Sequence, residues 1–337
     1  MKIPSQEIKK VLCIKPRGIG DIILSTIVLE NLKAALPHSE IHYLTEKFAK
    51  RAVENNPFIS KVLTYKKSDF IFSLIMKIRK ENYELVFDFW SNPKTAQMTF
   101  LSGAKYKVGF GYRGRKYAYN ILAESGEKNL HAAEANLQLL KAVDIPVISK
   151  NIHYYLEENE KQFAQKYFSE NFQKDEVVVG IIPAGGWPSK RCEPVKWIEI
   201  CKTLVNEFDC SFLILWGPED KHDAELISVA LETKAIISPL TSVGEMSALI
   251  SRCDLVVAND SGPMHIAAAL KVPTIGIFGP TNPENHKPYS ANSDFVLKKD
   301  LHCIICNKTI CPYNHECMFE LPVIDVLEKS KHLLELR

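Results

Sequence analysis

The chain reads as an α/β protein built from two doubly wound domains, each a parallel sheet covered by helices, and three observations predict this. Near-continuous apolar runs, such as Val11-Leu12-Cys13-Ile14 and Val177-Val178-Val179-Gly180-Ile181-Ile182, alternate with helical patterns, as expected of parallel sheets buried on both faces. Corresponding stretches recur in the two halves, Tyr83-Glu84-Leu85-Val86-Phe87-Asp88 beside Cys253-Asp254-Leu255-Val256-Val257-Ala258. A length of 337 residues is long for one core and comfortable for two.

The first half opens with a strand at Val11–Ile14, a turn Lys15-Pro16-Arg17-Gly18-Ile19-Gly20-Asp21, and a helical pattern from Ile22 to Leu36 ended by Pro37. Strands are expected at 41–44, 62–65, 85–89 and 107–110. Pro146, the polar Ser149-Lys150-Asn151 and the charged Glu157-Glu158-Asn159-Glu160-Lys161 interrupt the pattern, which places a linker between Ile145 and Gln173. The first domain is therefore expected over 1–155 and the second over 170–320. The second opens with the strand at 177–182, then a Gly- and Pro-rich loop, a helix at about 195–208, and strands at 211–216, 235–238, 255–258 and 274–278. A last helix, about 323–336 within residues 321–337, is free to pack back on the first domain. Ligands of such sheets bind outside the carboxyl ends of the strands, so two domains facing each other would make one cleft.

Composition excludes several classes. A net charge of +2 gives no argument for nucleic acid, and the basic cluster Lys105, Lys107, Arg113, Arg115 and Lys116 reads by itself as a solvated face. No apolar run is long enough to span a bilayer and the N-terminal residues carry no signal core, so a cytoplasmic protein is expected, with peripheral membrane contact left open. Five of nine cysteines are scattered through predicted strands and helices as small hydrophobes. Cys303, Cys306, Cys311 and Cys317 are clustered; zinc, an iron–sulfur cluster, free thiols and disulfides all remain open, because the spacing does not repeat as two CxxC pairs.

The richest motif is Ala258-Asn259-Asp260-Ser261-Gly262-Pro263-Met264-His265, where a strand passes through a polar turn into a small-residue helix. Such a turn aims backbone N–H groups and the positive helix end at a phosphate. Asp260 would accept a ribose hydroxyl or cap the helix, Ser261 and Gly262 allow close backbone approach, and His265 lies one turn in; the plain alternative is a capped helix with a partly buried histidine. Pro183-Ala184-Gly185-Gly186-Trp187-Pro188-Ser189-Lys190-Arg191 lacks the order of a nucleoside-triphosphatase loop, but Lys190 is placed to neutralise a leaving diphosphate, or is a solvated loop lysine. Glu219, just past a strand, suits ribose hydroxyls or an exposed turn. Thr281 and Asn282, after Phe278-Gly279-Pro280, are free to bond a sugar or phosphate unless the turn is merely structural. Gly18-Ile19-Gly20-Asp21 is an incomplete dinucleotide fingerprint, which argues against a nicotinamide site; its Asp21 is a helix cap or a general base.

Taken together, Gly20-Asp21, Lys190, Glu219, Asp260 to His265 and Phe278-Gly279-Pro280-Thr281 resemble glycosyltransferase family 9, the ADP-heptose:lipopolysaccharide heptosyltransferases, over about residues 11–289. The resemblance implies two Rossmann-like domains facing a cleft, the glycosyltransferase B fold. It implies inverting transfer of heptose from ADP-heptose to the lipopolysaccharide inner core, on Kdo-lipid A or a heptosyl acceptor. Asp21 would be the catalytic base. Gly185, Gly186, Lys190, Glu219, Asp260, Ser261, Gly262 and His265 would bind the donor, and Arg113, Arg115 and Lys116 the acceptor. No metal or other cofactor is called for, and the partners are an ADP-sugar, the lipopolysaccharide acceptor and the cytoplasmic face of the inner membrane. Gly185-Gly186 stands where known members carry hydroxyl residues, so contacts there would come from backbone N–H groups. A nucleotide-sugar epimerase, a transferase using another sugar, and a nucleotide-sugar-binding module are the competing readings.

Overall fold

A computed structural model describes residues 3–124 and 129–335; the first two residues and Leu336, at the end of the last predicted helix, lie outside it. By its internal contacts the chain divides into two compact units, Met1–Tyr155 and Leu156–Arg337.

The first unit runs β1 (Lys10–Ile14), α1 (Ile19–Ser25), α2 (Leu29–Ala35), β2 (Glu40–Glu46), β3 (Lys61–Tyr65), α3 (Ile71–Lys80), β4 (Leu85–Asp88), α4 (Pro93–Phe100), β5 (Tyr106–Phe110), β6 (Ile121–Ala123) and α5 (Ala132–Lys141). Its six strands are parallel in the order β3-β2-β1-β4-β5-β6, the order of a Rossmann sheet. The helix expected over 22–36 is broken into α1 and α2 by a 3₁₀ turn at Thr26–Val28. Ser25 and Thr26 cause the break locally, because their hydroxyls donate to the carbonyls of Ile22 and Ile23 at 2.7 and 2.6 Å and compete with the helical ladder.

The second unit runs α6 (Glu158–Asn171), β7 (Val177–Ile182), α7 (Pro194–Glu207), β8 (Cys210–Ile214), α8 (Lys221–Leu231), β9 (Ala235–Ile237), α9 (Val243–Ile250), β10 (Leu255–Asn259), α10 (Gly262–Ala269), β11 (Thr274–Phe278), α11 (Pro283–His286), β12 (Ser293–Leu297), α12 (Glu316–Phe319) and α13 (Val323–Glu335). Its sheet, β12-β11-β10-β7-β8-β9, is again all parallel with the same winding. Trp197 of α7 and Phe212 of β8 are fully buried at its core.

One expectation changes. The stretch read as linker holds the 14-residue α6, a polar helix that buries Ala164 and Phe168 and packs on α9. The last helix, α13, lies on α7 and beside β10, β11 and β12, and its Val326, Leu327 and Leu333 join the core of the second unit. An apolar stripe finds the nearest open sheet face, and β11 and β12 offer one within its own unit.

In each unit the winding reverses between two central neighbours, β1 and β4 in the first and β7 and β10 in the second. Ile14 pairs with Asp88 and Ile182 with Ala258 at the strand ends. The loops that leave those ends are thereby set side by side, where ligands of such sheets bind.

Candidate active site

In the second unit the loop after β7 and the turn after β10 are tied by Asn259, whose Nδ2 donates to the Pro183 carbonyl at 2.7 Å. Across this tie Lys190 Nζ stands 2.6 Å from Asp260 Oδ2 and 4.4 Å from the centre of the Trp187 ring. Thr281, from the turn after β11, donates its hydroxyl to the same Asp260 oxygen at 2.7 Å. Burial pushes the Asp260 carboxyl up, but the Lys190 ammonium, the hydrogen bonds from Lys190 and Thr281, and the nearby His265 outweigh it and hold the group below its ordinary range. Asp260 is thus a fixed anion beneath a lysine head.

Asp260 does not cap α10. Ser261 occupies that position, in extended conformation with φ −149° and ψ 168°, and makes no side-chain cap bond. Its Oγ is buried without a hydrogen-bond partner, beside the first N–H groups of α10, which have no partner within the helix. Gly262 begins the helix, and His265 is buried in its first turn. The turn thus presents a cation, an unused hydroxyl and a helix N-terminus together, an arrangement that suits an anionic oxygen.

The two glycines of the preceding loop differ. At Gly185 a Cβ would lie 2.9 Å from Arg191 Cγ, whereas at Gly186 it would meet nothing within 4 Å. Arg191 donates to the Gly185 carbonyl at 2.8 Å and pairs with Asp220 Oδ1 at 2.9 Å, so Gly185 leaves room for a clamp between this loop and the start of α8. Glu219 is exposed at the carboxyl edge of β8. Thr281 and Asn282 are not free as expected: Thr281 serves Asp260, and the Asn282 side chain accepts the Glu284 N–H at 3.1 Å to cap α11.

In the first unit Asp21 lies on the first turn of α1, behind the N-cap residue Gly18, which has φ +77°. A Cβ at Gly18 would stand 2.5 Å from Asp21 Oδ2, so only glycine leaves this carboxylate in place. Lys15 Nζ, 3.6 Å from Asp21 Oδ1, also donates to the Phe89 carbonyl at 3.3 Å and lies over the Trp90 ring. The Asp21 side chain keeps 45% of its surface exposed. Near Lys15 the buried Asp88 accepts the Trp90 and Ser91 N–H groups and the Tyr119 hydroxyl. Of the three basic residues expected at the acceptor, Arg115 is built into the fold, donating to the Ser91 carbonyl at 2.8 Å; Arg113 and Lys116 are exposed.

Sequence reasoning missed Lys15, Asn259 and the Arg191–Asp220 clamp. Lys15 carried a signal, a cation directly after an apolar strand in the turn that holds Asp21. The others act only through partners remote in the chain.

Three comparisons bear on this geometry. The family model of glycosyltransferase family 9 (heptosyltransferase) matches residues 71–316. Lipopolysaccharide heptosyltransferase 1 of Campylobacter coli is 26% identical, over 96% of this chain and 98% of its own. Among solved structures, the glycosyl transferase family 9 protein of Veillonella parvula DSM 2008 superposes with a TM-score of 0.89 at 23% identity, covering 100% of this chain and 99% of that one. E. coli heptosyltransferase WaaC, solved with ADP, gives 0.73 at 18% identity, covering 96% and 99%. These likenesses, with two parallel Rossmann sheets, establish the glycosyltransferase B fold.

Proposed function

Because this chain belongs to glycosyltransferase family 9, and is therefore a glycosyltransferase, we propose that it moves heptose from ADP-heptose to the lipopolysaccharide inner core with inversion. The observation that carries the donor half is Lys190, held 2.6 Å from Asp260 beside the unused Ser261 hydroxyl at the head of α10. The diphosphate of ADP would sit there. Lys190, Ser261 Oγ–H and the α10 N–H groups would take up the charge that grows on the leaving phosphate, a kind of stabilisation worth about 3 kcal/mol per donor. Asp260, already bonded to Lys190 and Thr281, would aim the lysine rather than touch ribose, which leaves the exposed Glu219 for the sugar hydroxyls. WaaC, a protein of the same fold, is solved with ADP, in keeping with this donor.

Asp21 would take the proton of the acceptor hydroxyl as its oxygen attacks the anomeric carbon and the bond to ADP breaks. Lys15 would hold the carboxylate in orientation, and Arg113 and Lys116 would receive acceptor phosphate or Kdo carboxylates. Among the described residues no helix is long and apolar enough to cross a membrane, yet α3 exposes Phe70 at its N-cap, Phe72 and Met76, Phe70 by 84%. Lys66, Lys67, Lys77 and Lys80 are exposed around them. Apolar side chains ringed by lysines fit an anionic bilayer surface, where the acceptor would reside. Flotation with vesicles containing phosphatidylglycerol should carry the protein, and Phe70→Ser/Phe72→Ser should stay behind; equal flotation of both would remove this face from membrane contact.

The decisive assay incubates protein with ADP-heptose, with and without heptose-deficient lipopolysaccharide, following ADP release and glycan mass. ADP release matched by a heptose-sized gain on the acceptor is expected. Sugar released or epimerised without acceptor would mean an epimerase instead.

A further inference from the structure

Cys303, Cys306, Cys311 and Cys317 line a single cavity of about 10 Å³ together with Tyr313 and His315, room for about one water-sized sphere. The residues between β12 and α12 that carry three of them form no helix or strand. Within this segment three non-glycine residues adopt the left-handed region, Ile305 at φ +61°, Asn307 at +54° and His315 at +62°. None of the four thiols is in a disulfide. At Gly279 a Cβ would fall 2.7 Å from Cys317 Sγ, so the glycine turn after β11 makes room for that sulfur.

We propose that these four cysteines form a structural site for one thiophilic divalent cation, zinc or ferrous iron. Tetrahedral tetrathiolate coordination suits both ions. Among the described residues no three ligating side chains already stand together as a metal group, so binding would draw the sulfurs inward about the cavity. Four thiols lose their protons to solvent as four metal–sulfur bonds form, with no change in oxidation state. His315 is spoken for, since its Nε2 donates to the Ser189 carbonyl at 2.7 Å.

The consequence reaches the donor turn. Ser189 donates from its hydroxyl to the Lys308 carbonyl at 2.6 Å and from its N–H to the Thr309 carbonyl at 3.3 Å. Ile305 and Asn307 donate to the carbonyls of Gly279 and Pro280 at 3.1 and 2.7 Å. The cysteine loop is thus fastened to the residues that precede Lys190 and Thr281, and the ion would stiffen both without touching the donor. This coupling rests on the reading of Lys190 as a phosphate ligand; the metal site does not.

Protein purified without oxygen or chelator should contain about one equivalent of zinc or iron by elemental mass spectrometry. Cys306→Ser and Cys311→Ser should lose it, and Cys253→Ser, outside the cluster, should keep it. Chelator-treated protein titrated with Co²⁺ should show thiolate-to-cobalt charge-transfer and tetrahedral d–d bands that saturate at one equivalent, while circular dichroism checks that each variant is folded. Stoichiometric metal identifies the ion. Absence of both metal and cobalt bands, with four freely titrating or disulfide-paired cysteines, overturns the proposal. ADP affinity should be several-fold weaker in the chelated protein; cobalt bands without any ADP binding would uphold the site and sink the donor reading instead.

Discussion

Lys190 neutralises the buried Asp260, and in the proposed reaction its remaining N–H bonds would go to the donor phosphate. Lys190→Ala should therefore weaken ADP binding tenfold or more by calorimetry. It should also destabilise the protein by about 3–5 kcal/mol, the cost of leaving a buried carboxylate unpaired. Lys190→Ala/Asp260→Asn should recover the melting temperature without recovering ADP affinity; recovery of both would deny Lys190 a role at phosphate. Because the Asp260 carboxyl is held below its ordinary range in the folded state, its ionisation contributes stability that is complete above the unfolded value, near pH 4, and disappears as pH falls through the folded value. Urea melts should accordingly show wild type and Asp260→Asn converging only below about pH 4. Asp21→Asn should lower turnover about a hundredfold or more with ADP affinity near normal. Wild-type turnover in that variant would leave Asp21 as a first-turn acid paired with Lys15.

At the scale of elements, the turns decide more than the strands. The loop after β7 has one crowded glycine and one open one, so Gly186→Ser should fold as wild type, while Gly185→Ser should push Arg191 from Asp220 and lower the melting temperature and, if this loop holds the donor as proposed, ADP affinity. Equal melting temperatures for the two would contradict the clamp. Gly109 on β5 is more demanding: a Cβ there would lie 2.4 Å from the Tyr119 ring, which holds its hydroxyl on Asp88. Gly109→Ala should cost about 1–3 kcal/mol in a denaturant melt, as overpacking does. Central strands were legible because burial on both faces makes their sequences almost wholly apolar. The edge strands β6 and β12 were not: each offers only three consecutive apolar residues, Ile121-Leu122-Ala123 and Phe295-Val296-Leu297, too short a run to stand out. Helix α6 was hidden by its charge, although Glu160 accepts the Glu157 N–H at 2.8 Å and sets its start.

For the whole molecule, the core that includes Trp197, Phe212 and the α13 stripe draws every member from the second unit. Residues 156–337 expressed alone should therefore unfold cooperatively and bind ADP, as circular dichroism and calorimetry would show; a molten or non-binding fragment would mean that the first unit is needed to complete it. The class of the fold, its doubling, and the positions of the polar turns after β1, β7 and β10 can be read along the chain, because alternation of apolar runs and helical periods is a local property. The chain also carried enough motif to point to the family. Tertiary structure alone decided which turn residues pair: Lys190 with Asp260, Thr281 with Asp260, Arg191 with Asp220, and the cysteine loop with Ser189. Those partners come from separate loops, and only the strand order, by bringing distant strand ends together, puts them within hydrogen-bond reach.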